Sequence, residues 1–302
     1  MRVEQVEPRT LAQLCSLLGY SRQSYYQGNQ ESEKHVLGAE LVIQEVLRIR
    51  QSQKRVGSRK LLKMMHEFLG HHGIEIGRDA LFDLLRENGL LIRKRKRRKP
   101  LTTWSRHWFR KYPNLIEGLI PIKPNQLWVS DITYIVVGDD FAYLSLITDA
   151  YSRKIVGFYL SENLSAKGCV NALKMALKNN LNAKKLIHHS DRGCQYCCAD
   201  YVGILKKNHM RISMTQSGDP LENAIAERVN GILKEELLES NYNTFQAAQK
   251  SIATAIITYN YQRLHLSIDM LTPAQAHHLE GEIKKHWKNY YLKRKEALPM
   301  TG

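Results

Sequence analysis

Apolar residues recur at helical spacing in the first third of the chain, at strand spacing in the middle, and at helical spacing again toward the end. In the first third the repeating positions are Leu41, Val42, Val46 and Ile49, then Leu61, Leu62, Met65 and Phe68, then Leu81, Leu84 and Leu85. This pattern predicts three helices over 37–91. Arg59, Lys60 and Lys63 face away from the apolar set, and Gly57-Ser58 supplies a turn and an N-cap. Ahead of them, 11–26 reads as a helix, a turn centred on Gly19 and a second helix capped by Ser21. That outline fits a helix-turn-helix and equally a plain helical hairpin.

From 122 to 214 the pattern changes to short stretches rich in β-branched and aromatic residues, at 127–137, 141–151, 154–160, 186–189 and 211–214. Gly138-Asp139-Asp140 marks a hairpin turn between the first two. Helical spacing at 166–179 and 201–207 separates the later strands. The expected fold class is therefore α/β, a mixed sheet with helices on its faces. Beyond it, 223–239 and 245–261 read as helices, with Pro220 just before the first.

Composition adds charge to this outline. The chain has 302 residues, 43% of them apolar, and a formal net charge of +16. Residues 1–121 hold 23 Lys and Arg against 12 Asp and Glu, whereas 122–236 hold 14 against 12. The excess therefore lies mainly outside the strand-rich segment, as expected if the flanks grip a polyanion while the centre carries chemistry. The run Arg93, Lys94, Arg95, Lys96, Arg97, Arg98 and Lys99 is too self-repelling to pack and is expected along DNA phosphates. No apolar run approaches the roughly 20 residues of a membrane span, so a cytoplasmic, nucleoid-associated location is expected. The five cysteines, an odd number, are expected as reduced thiols. Cys194 and Cys197 have zinc-like spacing, but no second pair matches it, and packing is the favoured role.

Candidate chemistry starts with two aspartates. Asp131 lies inside an apolar strand, where an ionised carboxylate is costly unless it is paired or bound to a cation. Asp191 follows another apolar strand directly, beside Gly193, which lets the backbone turn sharply. Taken singly, each competes with an ordinary role, an exposed strand face or a turn. Glu227 stands on the later helix with 35 residues between it and Asp191, and Lys234 follows seven positions on. Asn223, Glu227, Asn230 and Lys234 share one helix face, offering an acid to a metal and a cation to a phosphate. Glu222, Glu235 and Glu236 are rival acids without both intervals. Asp149 is expected to be structural, pairing with Arg153 or capping a turn. His188 and His189 are expected as sheet residues. Arg263 and His265 follow a helix, where a DNA contact and a C-terminal cap are both open readings.

At these residues the sequence resembles the transposase and retroviral-integrase superfamily, with two aspartates and a late glutamate. More narrowly it resembles the second-frame products of the bacterial insertion-sequence-three family. The matching words are WVSDITY at 128–134, DAYSRKIVG at 149–157, HSDRGCQY at 189–196, NAIAER at 223–228, YNYQRLHLS at 259–267 and LTP at 271–273. The resemblance runs through 122–276 and more loosely through 54–120. The chain departs from the family at Glu222, where aspartate is usual, and at Val229 and Asn230, where aromatics usually follow the glutamate. Both departures bear on helix packing and DNA detail rather than on the acids.

The resemblance implies a ribonuclease-H-like core over 122–280 with Asp131, Asp191 and Glu227 as catalytic residues and metal ligands. The ions would be magnesium or manganese, two per active site. It implies a helix-turn-helix-like segment at 1–30, a helical DNA-binding domain at 31–92, a basic linker at 93–121 and a basic tail at 281–302. It further implies cleavage of insertion-sequence ends and 3′-hydroxyl strand transfer, probing double-stranded DNA at terminal inverted repeats and at a target. Expected DNA contacts are Lys234, Asn230, Arg192, Arg263, His265, Arg59, Lys60 and the run from Arg93 to Lys99. A homo-oligomer on paired ends, a circular intermediate and a fused or separate first-frame protein also follow from it. A ribonuclease-H-type nuclease and a non-catalytic repressor are rival readings. Against the first stand the late glutamate with Lys234; against the second stands the intact acid triad.

Overall fold

A computed structural model describes residues 10–92, 108–178, 185–216, 223–284 and 286. The basic run from Arg93 to Lys99, Pro220, Glu222 and most of the basic tail lie outside the described residues. The chain divides into two compact units, a helical one up to Arg93 and an α/β one beyond it.

In the helical unit, α1 (Leu11–Leu17) ends at Gly19, whose φ of +75° suits glycine. There the Tyr20 amide donates to the Cys15 carbonyl at 2.8 Å. The next helix, α2 (Arg22–Ser52), begins with the Ser24 amide donating to the Ser21 hydroxyl at 3.0 Å, so Ser21 caps it as expected. It then runs for 31 residues, straight through the boundary expected at residue 30.

The remaining helices are α3 (Ser58–Met64), α4 (His66–His71) and α5 (Arg78–Glu87). The helix expected over 61–68 is thus broken at Met65, where φ −85° and ψ 0° leave the helical region. Gly57, rather than Ser58, is the N-cap of α3, and its carbonyl accepts from the amides of Lys60 and Leu61. Val42, Val46, Ile49, Leu61, Met65, Leu69, Leu81 and Leu85 form the core of this unit.

The α/β unit is built on five strands: β1 (Leu127–Val137), β2 (Asp140–Asp149), β3 (Ile155–Ser161), β4 (Ile187–Ser190) and β5 (Arg211–Met214). Their order in the sheet is β3-β2-β1-β4-β5. The first three form an antiparallel meander, and β4 and β5 add in parallel. The two-residue connection Gly138-Asp139 closes the first hairpin, with φ +60° at Gly138 as its first central position requires.

Strand alternation sends Trp128 and Ile147 to one face of the sheet. There they pack with α6 (Ala166–Lys178), the single turn α7 (Cys194–Cys197) and α8 (Ala199–Lys207). Ile135, Leu144, Leu146 and Leu160 line the other face, under α9 (Ala224–Ile232) and α10 (Phe245–Tyr261). A 3-10 turn (Leu266–Ile268) and α11 (Pro273–Ala276) follow, the latter started by a Thr272/Gln275 capping box. Among the described residues no helix is long and apolar enough to cross a membrane.

The helix expected over 223–239 changes character after Ile232, where Leu233–Leu237 form a π-helical turn. The Leu238 amide donates to the Leu233 carbonyl at 2.8 Å, a five-residue bond. The wider turn lets both Leu233 and Leu238 reach the core.

One close approach fixes how α6 lies on the sheet. A Cβ on Gly157 of β3 would stand 2.2 Å from the Ala172 carbonyl oxygen and 2.9 Å from the Ala176 Cβ. Replacing Gly157 by alanine is expected to destabilise the α/β unit by about 2–3 kcal/mol, because the obstacle is helix backbone rather than a flexible side chain. A urea titration followed by circular dichroism measures this. An unchanged midpoint for Gly157→Ala would show that α6 shifts freely.

Candidate active site

Asp131 sits in the middle of β1, opposite Leu146 of β2 and on the face that α9 covers. Its neighbour on the other side is set by the parallel pairing of β1 with β4, where Val129 stands opposite His189. Two residues further along each strand come Asp131 and Asp191, so the register carries both carboxylates to the same end of adjacent strands. The Asp191 Oδ1 accepts from the Gly193 amide at 2.9 Å.

Gly193 itself has ordinary dihedrals, φ −60° and ψ 144°, so it does not serve a sharp turn as the sequence suggested. Its role is clearance, since a Cβ there would stand 3.0 Å from both Asp191 Oδ1 and Gln195 Oε1.

The third acid arrives on α9. Asn223 donates from Nδ2 to the Ser130 carbonyl at 3.0 Å, and Asn230 donates from Nδ2 to Asp131 Oδ2 at 2.7 Å. Between these two clamps lies Glu227, exposed, on the same helix face. Burial pushes the Asp131 carboxyl up to about 7, and the charges of Asp191 and Glu227 add to the shift. Backbone and Asn230 hydrogen bonds oppose it. The charges of Asp191 and Glu227 therefore both reach Asp131. Among the described residues no three His, Cys, Asp or Glu side chains are grouped closely enough to hold a metal ion as they stand.

Lys234, in the π-helical turn, keeps company with this group: burial lowers its pKa and the Asp131 charge raises it. Asn230, expected at DNA, is instead buried against Asp131. Val229, the other departure from the family pattern, fills the core beneath α9. An Asn230→Ala change is expected to lower activity about 10–100-fold while leaving DNA affinity unchanged, because it frees the Asp131 side chain to rotate. Steady-state rates set beside binding isotherms separate the two effects, and equal losses in both would return Asn230 to the DNA surface.

Other expected contacts fall elsewhere. Arg263 is 2% exposed, its guanidinium forked onto Glu236 at 2.8 and 2.7 Å. His265 is buried edge-on to Tyr259 at 4.9 Å between ring centroids. Both are interior residues. Arg192 bonds through Nε to the Thr215 carbonyl, one residue from Asp191. Arg59 is exposed and Lys60 half-buried on α3.

Asp149 is fully buried and takes bonds from the Ser152 amide and hydroxyl at 2.8 and 2.7 Å and from the Asn125 amide at 2.7 Å. It caps the turn and ties the start of β1 to the end of β2; the Arg153 guanidinium bonds to the Ala150 carbonyl, while the Arg153 amide donates to the Asp149 carbonyl at 2.9 Å and the Asp149 charge acts on the guanidinium. His188 is buried with its pKa lowered to about 3 by desolvation and by His189. Its Nε2 bonds Ser130 Oγ at 2.7 Å and Tyr201 OH at 2.8 Å. His189 Nδ1 bonds Ser213 Oγ at 2.8 Å. Both histidines are sheet residues. All five cysteines are free, and the Cys197 thiol packs on Met214.

A meander of antiparallel strands extended by two parallel ones, with acids on the two central strands, is the ribonuclease-H-like core of integrase-type polynucleotidyl transferases. Two models of the integrase core domain match it, over residues 121–220 and 208–273. The insertion element IS600 uncharacterized 31 kDa protein of Shigella sonnei is 35% identical over 267 residues, covering 86% of this chain and 96% of that one. The transposase InsF for insertion sequence IS3A of Escherichia coli K12 is 31% identical over 194 residues, covering 63% and 67%. Among solved structures, the HTLV-2 integrase catalytic core domain in complex with magnesium aligns with a TM-score of 0.43 and 20% identity, over 53% of this chain and 100% of that one. The chain belongs to the insertion-sequence-three family of DDE-type transposases.

Proposed function

We propose that this transposase cleaves the ends of its own insertion sequence and joins the freed 3′-hydroxyls to target DNA, with Asp131, Asp191 and Glu227 holding two magnesium or manganese ions. The observation that carries the reading is the convergence of these acids from β1, the end of β4 and α9, with the Asp131 carboxyl pushed up to about 7 partly by the other two. Like charges brought together in a partly buried place cost stability, and a divalent cation relieves that cost. The donor set fits such an ion, because all three groups are hard oxygen ligands and the buried Oδ1 of Asn230 has no hydrogen-bond partner among the described residues. The adjacent histidines are already engaged in the sheet.

Bound there, divalent ions supply charge neutralisation at the scissile phosphate and an acidified water. The chain's residues do the positioning. Asn230 holds the Asp131 rotamer, Asn223 holds α9 to β1, and Lys234 meets a non-bridging phosphate oxygen. In the first step a water oxygen bonds to phosphorus as the bond to the 3′ oxygen breaks, leaving a 3′-hydroxyl and a 5′-phosphate. In the second step that hydroxyl attacks a target phosphate, displacing another 3′ oxygen. No covalent protein intermediate is required.

In this reading the helical segments 1–30 and 31–92, with Arg59 and Lys60, recognise the terminal inverted repeats. The segment 93–121 runs along DNA phosphates, through Arg93 to Lys99, and 122–280 carries catalysis. The enzyme acts as a homo-oligomer on paired ends, with a first-frame protein as partner or fusion, in the bacterial nucleoid. Purified protein incubated with a labelled duplex of the element end is expected to yield a nicked strand ending in a 3′-hydroxyl with Mg²⁺ and no product with EDTA. Tight binding without any product in Mg²⁺ would return the chain to a repressor.

A further inference from the structure

Residues 108–116 form a strap along the free edge of the sheet, and the strap has a direction. The Leu115 amide donates to the Ser213 hydroxyl at 2.9 Å, and the Met214 amide donates to the Pro113 carbonyl at 3.3 Å. Rising numbers in the strap thus meet falling numbers in β5, an antiparallel arrangement. Followed backward from Pro113, the strap runs toward the end of the sheet where β4 and β5 finish. That is the acid end, because Ser190 pairs with Met214 and the Thr215 amide donates to the Ser190 carbonyl at 3.1 Å, next to Asp191. From Pro113 back to Trp108 the chain spans at most about 17 Å.

The strap's side chains are sorted. Phe109 and Tyr112 pack against the core cluster that holds Tyr196, Cys197 and Met214. Trp108, Arg110 and Lys111 point outward. Trp108 is 88% exposed, more than any other large apolar residue described, and among the described residues its ring neighbour is Phe109 at 4.4 Å between centroids. Arg110 lies over Tyr112, 5.4 Å from the ring centre. The charges of Lys111 and Asp191 both reach the Cys197 thiol, from which the strap and the acid site are seen to flank one element.

An exposed indole on a backbone held by two half-buried aromatics, with two cations beside it, has the makings of a nucleic-acid contact. Base–aromatic stacking needs an exposed, pre-positioned ring, and the neighbouring cations hold the phosphates on either side of the base. A duplex with every base paired offers no free π-face; a strand end opened at a cleavage site does. We propose that Trp108, flanked by Arg110 and Lys111, is a stacking platform for an unpaired DNA base beside the acid site. The proposal rests on the strand-cleavage reading above and adds a specific demand to it, that the DNA be opened at the strap.

The test uses the full-length protein and fluorescein-labelled duplexes of the element end, one blunt and one with a short single-stranded overhang, in EDTA. Anisotropy is expected to show that wild type prefers the overhang by about ten-fold. Trp108→Ala should bind both duplexes as wild type binds the blunt one, Trp108→Phe should keep most of the preference, and an overhang of abasic sites should bind wild type as the blunt duplex does. Because Trp108 is exposed, all variants should melt at the wild-type temperature. The proposal is overturned if Trp108→Ala keeps the overhang preference or weakens both duplexes alike. It is also overturned if the variant instead changes the mass of the free protein by light scattering, which would make Trp108 a contact between copies. Wild-type cleavage of the blunt duplex in Mg²⁺, run in parallel, reports on the strand-cleavage reading separately: its absence refutes that reading, while the stacking result is read from binding alone.

Discussion

Replacing Asp131 by asparagine is expected to lower strand cleavage by at least about a thousandfold and, in metal-free buffer, to make the protein more stable. The first effect follows from removing a proposed metal ligand that the charges of both other acids reach. The second follows from the cost of collecting three carboxylates. In the folded protein the Asp131 carboxyl titrates at about 7, against an ordinary 3.8. The folded state therefore keeps a proton that the unfolded chain releases, and stability falls as pH rises from about 4 to about 7, with the full penalty above that.

Asparagine keeps the shape without the charge. Asp131→Asn should match wild type near pH 4 and exceed it by about 2 kcal/mol near pH 8, a figure discounted for the solvent that reaches this half-buried site. Thermal unfolding across that pH range measures the gap, and millimolar Mg²⁺ should narrow it by stabilising the wild-type carboxylate. A variant less stable than wild type at pH 8 would mean that Asp131 is a structural residue.

The second large effect is on stability alone. Arg263→Ala is expected to cost about 3 kcal/mol, because the guanidinium is 2% exposed and its removal strands Glu236 without the fork that satisfies both its oxygens. Glu236 lies in the π-helical turn that carries Lys234 and continues α9, so loosening it also loosens the end of that helix. Chemical denaturation should show the loss, and DNA affinity measured well below the unfolding midpoint should not change. A loss of affinity in a protein of unaltered stability would put Arg263 back on the DNA.

Arg263 shows where the sequence ceases to inform. A cation after a helix in a basic protein reads as a phosphate contact, and nothing local says that an acid 27 positions earlier will turn toward it. The burial of His265 is equally invisible locally, because it is decided by what packs around the residue. By contrast β1 and β5 were legible to the residue, since alternation with β-branched side chains is a local signal. The interval between Asp191 and Glu227 was legible because it is a property of the order of residues.

What the order of residues could not carry is phase and clearance. The π-helical turn exists because Leu233 and Leu238 must both reach one core. The break at Met65 and the single turn α7 likewise arise from packing against distant neighbours. The bond from Asn230 to Asp131 is not legible from the helix face alone, because the strand on which Asp131 sits is 99 positions away. Gly193 was singled out for turning the chain, yet it is needed for the room it leaves at Asp191.

Asp131, Asp191 and Glu227 are proposed to form one metal centre, and iron-mediated cleavage of the protein backbone tests that most directly. Ferrous iron with ascorbate and peroxide, in the presence of element-end DNA, cuts the chain beside the residues that bind the ion. Fragments ending near 131, 191 and 227, all suppressed together by excess Mg²⁺ and absent from Asp131→Asn, are the expected result. Cuts that leave out one of the three positions, or that excess Mg²⁺ fails to suppress, would contradict it.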